Sequence, residues 1–338
     1  MLRTSSKRVL LASIRNLRTQ IAIKPADMMQ YTLFAYFRLK ILATLLRVVV
    51  RFASASALHR DRVLSAKIDV RHDRIKIASR DKGRYLEADV YSSPNHLNAK
   101  TPVLVNWHGS GFMFPLLGSD ALYCSQIVRD TGITVIDADY RKGPETTFPG
   151  PLNDAIDTLK WVAAQDQFDV TRIGLSGFSA GGTIALAAAS SSKEDRLEFE
   201  ISTAIAMYPV TDLSIAPEAK TVPNPKRPHP HFMQHLFNEC YAPDLDSRKH
   251  PRVSPSAADP AHFPATVLIL TCDGDIFEPE ASELAQKLDD GKRRVIHRIM
   301  KDVHHGFDKG CGEGTSDWDR RNEAYALVVK VLQQTIMS

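Results

Sequence analysis

Arg172-Ile173-Gly174-Leu175-Ser176-Gly177-Phe178-Ser179-Ala180-Gly181-Gly182 decides how this chain is read. A short run with β character meets Gly-x-Ser-x-Gly, and an Ala-rich helical segment follows over 183–189. That order is what a nucleophile elbow requires. The serine sits on a strained strand-to-helix turn, so the flanking glycines keep side chains away from backbones that cross closely. The turn also sets Ser179 at a helix N-terminus, where free N–H groups and the helix dipole favour developing negative charge. The pentapeptide alone arises by chance in roughly one chain in ten of this length. Its weight therefore depends on partners elsewhere.

Partners stand at the ends of other candidate strands. After the third comes His108-Gly109-Ser110-Gly111-Phe112, a Gly-rich turn able to aim backbone N–H groups into a site. The amides of Gly109 and Ser110, with Ala180 after the serine, are candidate donors to the oxygen that turns negative in acyl transfer. Asp275 follows a strand over 266–271, with Asp273 two residues before it. His305 follows a strand over 294–299, beside His304. Loops at the carboxyl ends of strands converge on one edge of an open α/β sheet, and Ser179, Asp275, His305 is the order expected of a triad there. Phe112 and Phe178, with Trp107, Phe114 and Leu116 nearby, suggest an apolar substrate pocket.

The secondary-structure pattern fits such a sheet. Candidate strands span 67–77, 86–91, 103–107, 134–139, 173–176, 203–207, 266–271 and 294–299, and candidate helices 119–131, 151–164, 181–191, 278–288 and 317–336. Two hairpin-like strands followed by strand–helix alternation imply an α/β chain with a mostly parallel, eight-stranded, doubly wound sheet. Over 214–264 the alternation breaks into a proline-punctuated insertion with a short helical piece near 233–240. At 338 residues the chain can bury a sizeable core. Cys124, Cys240, Cys272 and Cys311 are widely spaced, with no Cys-x-x-Cys pair, and read as free thiols in a reducing compartment.

Charge is unevenly spread. Residues 1–60 hold eleven Lys/Arg and a single acid, Asp27, for a charge of +10, which leaves −6 on the remainder of a chain whose total is +4. An acidic body gives no reason to expect nucleic-acid binding. Residues 1–24 are basic, with Leu10, Ile14, Leu17 and Ile21 at helical spacing. They read as a solvated amphipathic arm, with a mitochondrial transit peptide as the alternative. Asp27 and Gln30 form a capping pair ahead of an apolar run. In that run Phe34, Phe37, Ile41, Leu45, Val48 and Phe52 make one stripe, and Lys40, Thr44, Arg47 and Arg51 another. Three basic residues argue against a transmembrane span. The apolar stripe is expected to cover an active-site cleft as part of a cap; the other expectation is peripheral membrane contact through residues 1–52.

These motifs resemble the hormone-sensitive-lipase-like branch of the α/β-hydrolase family. His108 to Phe112 stands for its His-Gly-Gly-Gly-Phe, and Asp139-Tyr140-Arg141-Lys142-Gly143-Pro144-Glu145-Thr146-Thr147-Phe148-Pro149 for its Asp-Tyr-Arg-x-x-Pro-Glu-x-x-Phe-Pro. Gly177 to Gly182 and His305-Gly306-Phe307 complete the set. The resemblance covers residue 67 to the C-terminus and implies an α/β-hydrolase fold. It selects His305 over His304, and it selects Asp275 because 275–280 aligns with the family's Asp-Pro-Leu-x-Asp-Glu. It also implies two units: an arm and cap helices over 1–60, and a catalytic domain over 61–338 with its cap insertion at 214–264. Two departures stand out. Ser110 replaces the middle glycine of the oxyanion motif, which keeps the N–H and adds a polar group, and Phe178 stands where many members carry an acid.

The expected activity is hydrolysis of a small to medium, apolar carboxylic ester through an acyl-serine. Amidase, formamidase, lactonase or acyltransferase chemistry on the same triad is the alternative. A non-catalytic receptor such as the plant gibberellin receptors shares the fold but lacks the histidine. No cofactor or metal is expected, since no dinucleotide fingerprint or ligand cluster appears. The expected partner is a small acyl substrate and the expected compartment cytoplasmic, with mitochondrial or membrane-peripheral placement as alternatives; oligomeric state is left open.

Overall fold

Among the described residues eight strands form one sheet: β1 (Arg71–Ala78), β2 (Tyr85–Ser92), β3 (Thr101–Trp107), β4 (Thr134–Ala138), β5 (Phe168–Phe178), β6 (Ile201–Met207), β7 (Thr266–Cys272) and β8 (Arg294–Met300). Their spatial order is β1-β2-β4-β3-β5-β6-β7-β8, and β2 runs opposite to the other seven. This is a computed structural model, and it describes residues 31–94 and 100–337. The arm over 1–24 and the Asp27/Gln30 helix start lie outside the described residues. Strands such as β7, Thr-Val-Leu-Ile-Leu-Thr-Cys, read as unbroken apolar runs because both faces of the sheet are covered, and every β7 residue is buried.

The helices are α1 (Leu33–Ser65), α2 (Ala121–Thr131), α3 (Gly150–Ala163), α4 (Ala180–Ser190), α5 (His231–Tyr241), α6 (Glu278–Leu288) and α7 (Ser316–Gln333). One face of the sheet packs on α3, α4 and α6 through Ile156, Leu159, Ile184 and Leu284. The other packs on α2 and α7 through Ile127, Val128, Val328 and Leu332. Of these, α4 is the most enclosed: Ala180 to Ala189 are all buried, and its small residues let it lie close against β5 and β6. The four cysteines are buried free thiols.

The first strand begins at Arg71, later than its sequence pattern suggests. Residues 66–68 instead close the end of α1, with Ala66 N donating to Arg62 O (2.9 Å) and Ile68 N to Ser65 O (3.0 Å).

Orientation of α1 departs from expectation. The helix starts where Thr32 Oγ1 accepts from Ala35 N (3.2 Å), a side-chain N-cap. Its inward seam holds the buried Tyr36, Leu39 and Ala43, and Leu39 and Ala43 pack with Leu46 and Val50 against Met113, Phe114, Leu236 and Cys240. The Phe34-to-Phe52 stripe expected to cover the cleft faces solvent instead. The surface beneath the helix explains this reversal. It presents the carbonyls of Met113 and Gly143 and the carboxylate of Glu145, which Arg47 satisfies at 2.9, 2.7 and 2.5 Å while Lys40 also pairs with Glu145. An apolar stripe on that surface would leave those polar groups unpaired.

Candidate active site

β5 ends in the elbow. A Cβ on Gly177 would stand 2.2 Å from Gly181 O, and one on Gly181 would stand 1.9 Å from Trp107 O, so neither position has room for a side chain. Between them Ser179 adopts φ 53°, ψ −121°, a region disfavoured for any residue with a Cβ by about 1–3 kcal/mol. The turn is held by Ser179 N donating to Met207 O (2.8 Å) and by Thr183 N donating to Ser179 O (3.0 Å). The strain lifts the hydroxyl off the sheet edge and leaves Ala180 as the first residue of α4.

His305, in the loop after β8, reaches this hydroxyl. Ser179 Oγ and His305 Nε2 are 2.8 Å apart, and His305 Nδ1 lies 2.6 Å from Asp275 Oδ2. Asp275 is 3% exposed, and its other oxygen accepts from Phe277 N (3.2 Å). Asp273 turns elsewhere, accepting from Asp302 N (3.0 Å), while His304 faces Arg227 (2.9 Å) and the His305 carbonyl (2.7 Å). Of the two candidate histidines one meets Ser179, and of the two candidate acids one meets that histidine.

The Gly-rich turn lies against the serine: a Cβ on Gly109 would be 3.3 Å from Ser179 Cβ. Among the described residues, the amides of Gly109, Ser110 and Ala180 donate to no protein acceptor, and all three residues line the cavity that holds Ser179. The Ser110 hydroxyl does not add polarity to that cavity. Tyr140 gives its one proton to His108 O (2.7 Å), so at 2.6 Å the Ser110 hydroxyl donates to the Tyr140 oxygen. The Asp-Tyr-Arg stretch thus braces the turn from behind. His108 is fully buried and stacked on Tyr140, and burial pushes it down to about 3, leaving a neutral ring.

Phe112 and Phe178 both border the cavity. Phe112 stacks on Tyr241 at 3.9 Å between ring centroids, and Phe178 is buried against Tyr123. The cavity is about 230 Å³, walled by Ser54 and Leu58 of α1, Phe114 of the loop after β3, Phe237 of α5, and Phe277.

Several neighbours of the site carry no signature in the sequence. Lys309 Nζ sits 3.5 Å from the Phe178 ring centroid and pairs with Asp120 (2.7 Å) and Asp308 (2.9 Å). Asp308 also accepts from the hydroxyls of Tyr208 (2.5 Å) and Tyr325 (2.7 Å), and the Tyr208 ring stands edge-on to His305 at 4.8 Å. Burial alone would raise Asp308, but Lys309 and the two hydroxyls outweigh it and hold the carboxyl below its usual range. His229, from the insertion, lies 5.3 Å from His305; burial and then the His305 charge push it down to about 4. The network joins residues more than a hundred positions apart, which is why no local pattern announces it. Among the described residues no group of three His, Cys, Asp or Glu could hold a metal ion.

A family model for the alpha/beta hydrolase fold matches residues 104–309. The ethyl acetate hydrolase of Pseudomonas putida is 26% identical over 265 residues, covering 77% of this chain and 81% of that protein. Carboxylic ester hydrolase LipN of Mycobacterium tuberculosis is 27% identical over 220 residues, covering 61% of this chain and 57% of that protein. Among solved structures, the esterase LipW from Mycobacterium marinum superimposes with a TM-score of 0.72 at 24% identity, over 85% of this chain and 89% of that one; this likeness speaks to the fold alone. With more than half of the chain matched and an eight-stranded, mostly parallel sheet carrying the elbow, the chain belongs to the α/β-hydrolase fold family, in its hormone-sensitive-lipase-like branch.

Proposed function

We propose that the protein is a carboxylesterase-type serine hydrolase in which Ser179, His305 and Asp275 are the triad. The observation that carries this is the hydrogen-bonded chain from Ser179 Oγ through His305 to Asp275, facing the same cavity as three unpartnered amides. His305 takes the serine proton as Oγ attacks the ester carbonyl, and Asp275 holds the imidazole in the productive tautomer and stabilises its cation. The N–H groups of Gly109, Ser110 and Ala180 receive the oxyanion, each donor being worth about 10²–10³-fold in rate. His305 then protonates the departing alcohol and activates the water that frees the acid.

A cavity of about 230 Å³ with aromatic walls suits a small to medium, apolar ester, and the likeness to an enzyme named for ethyl acetate points the same way. In this reading α1 and the 214–264 insertion are the cap, since both contribute walls to the cavity. The partner is a small acyl substrate, met with part of residues 1–52 in peripheral contact with a membrane.

Ser179→Ala tests the assignment. Turnover of p-nitrophenyl acetate should fall by at least about 10³-fold with an unchanged circular dichroism spectrum. Wild-type turnover in the variant would end the nucleophile assignment. Amide, thioester and lactone substrates run alongside measure whether the acyl-serine serves esters preferentially.

A further inference from the structure

Along α1, Phe34, Phe37, Ile41, Leu45, Val48 and Phe52 are each between 51% and 81% exposed. They form one stripe about 27 Å long on a helix whose opposite side is packed. Soluble chains rarely leave so continuous an apolar surface uncovered. We propose that this outer face is a docking surface for an anionic lipid bilayer, in which α1 lies flat in the interface and lipophilic esters pass from the membrane to Ser179. The second half rests on the hydrolase reading above; the first does not.

Charge selects this occupant. The carboxylates beside the helix are already spent: Glu145 on Lys40 and Arg47, and Glu239 on Arg38 at 2.6 Å, while Asp61 is buried. Arg51 and Arg62 stand exposed with no carboxylate partner among the described residues. Glu313 borders a hollow with His59 and Arg60, beyond the end of the stripe. The 30 residues that precede the described chain add six Lys/Arg against Asp27. A second copy laid on this face would bring like charges together, whereas anionic headgroups meet the cations while the stripe enters the acyl boundary.

The helix is also long and apolar enough to cross a bilayer by length and composition. Its attachments argue for lying flat. Tyr31 OH donates to Glu239 O (2.5 Å), and Arg38, Lys40 and Arg47 tie the same side to the body. Spanning would strip these groups of their partners inside hydrocarbon.

A groove beside the stripe leads inward. Val48 and Phe52 line it at the helix, and Ser54, Leu58, Phe114 and Leu116 border both the groove and the cavity that holds Ser179. An ester dissolved in the membrane therefore has a path to the nucleophile along Val48, Phe52, Leu58, Phe114 and Leu116, flanked by Arg47, Arg51 and Arg62.

The test compares the full chain with the variant Phe34→Gln/Phe37→Gln/Ile41→Gln/Leu45→Gln, whose altered positions touch neither cavity nor groove and retain helix propensity. Co-sedimentation uses phosphatidylcholine vesicles with and without phosphatidylserine. Wild type is expected to bind the phosphatidylserine vesicles at least about tenfold better than the neutral ones, with the preference lost in high salt. The variant is expected to lose binding, and with it hydrolysis of p-nitrophenyl laurate held in the vesicles, while keeping p-nitrophenyl acetate turnover in solution. Equal sedimentation of the two proteins would overturn the proposal. So would a wild-type dimer that the substitutions dissolve without any vesicle binding, or wild type that resists alkaline extraction as a spanning helix does. Vesicle binding without turnover of the soluble ester would leave the docking intact and sink the hydrolase reading instead.

Discussion

At Ser179 a single backbone conformation links sequence to chemistry. A φ of 53° is tolerated because Gly177 and Gly181 remove the side chains that would otherwise collide across the turn. That much is legible in a pentapeptide. The choice between Asp273 and Asp275 is not, because only Gly274 separates them and either could serve at the end of the strand. Geometry decides it: Asp275 meets His305 at 2.6 Å, and Asp273 accepts from Asp302 N. Asp275→Asn should therefore lower kcat by about 10³–10⁴-fold, since the amide can present N–H to Nδ1 and stabilise the wrong tautomer. Asp273→Asn should leave kcat close to wild type. Parallel measurement of kcat on p-nitrophenyl acetate separates the two, and the reverse ranking would move the acid to Asp273. Ser110 teaches the same lesson about local reading. Its hydroxyl looks like added polarity in the sequence, yet Tyr140, thirty residues on, takes it out of the cavity.

For elements, the repeating strand–helix pattern made the sheet legible. An interior strand such as β7 is a buried, mainly apolar run, and apart from the enclosed α4 the sheet's helices bury one face. The face presented by α1 was not legible. The helix carries two apolar seams, and periodicity cannot say which one meets the protein. That is settled by Met113, Gly143 and Glu145, whose polar groups demand the arginine and lysine beside the inner seam. The insertion is fixed to the sheet domain by a contact equally invisible in sequence. Lys220 pairs with Glu280 of α6, both side chains being 3% exposed, and Glu280 also accepts from Thr211 N (2.8 Å) and Asp212 N (3.2 Å). Burial raises the Glu280 carboxyl, so the ion pair offsets a desolvation penalty. Lys220→Met should cost about 3–5 kcal/mol by leaving the carboxylate buried and unpaired. Adding Glu280→Gln should recover much of that loss, because the amide oxygen still accepts from both N–H groups. Urea denaturation measures both, and a loss below about 1 kcal/mol for the single variant would mean the pair does not anchor the insertion.

On the scale of the whole molecule, the site is complete only when α1 is docked, because Ser54 and Leu58 form part of its wall. That docking turns on Glu145. Burial would raise its carboxyl, but the hydrogen bond and charge of Arg47, with Lys40, outweigh burial and hold it below its ordinary 4.5. A carboxyl depressed in the folded state adds stability that is fully present above its unfolded value and is lost as pH falls through the folded one. The anchor is therefore intact at neutral pH and fails only in acid below 4.5. Asp308 is also held low and weakens in the same direction, so acidification of the wild type alone would not isolate α1. Glu145→Gln does. It removes the charge that Arg47 and Lys40 share, while an amide oxygen still accepts one hydrogen bond. Hydrogen exchange should find the α1 amides of this variant less protected at pH 7 than in wild type, with protection of β5 and β7 unchanged. Acidification should narrow the difference between the two proteins, because protonated Glu145 in the wild type then resembles the amide. Equal α1 protection at pH 7 would assign the docking to the Tyr36, Leu39 and Ala43 seam alone and take Glu145 out of the anchor.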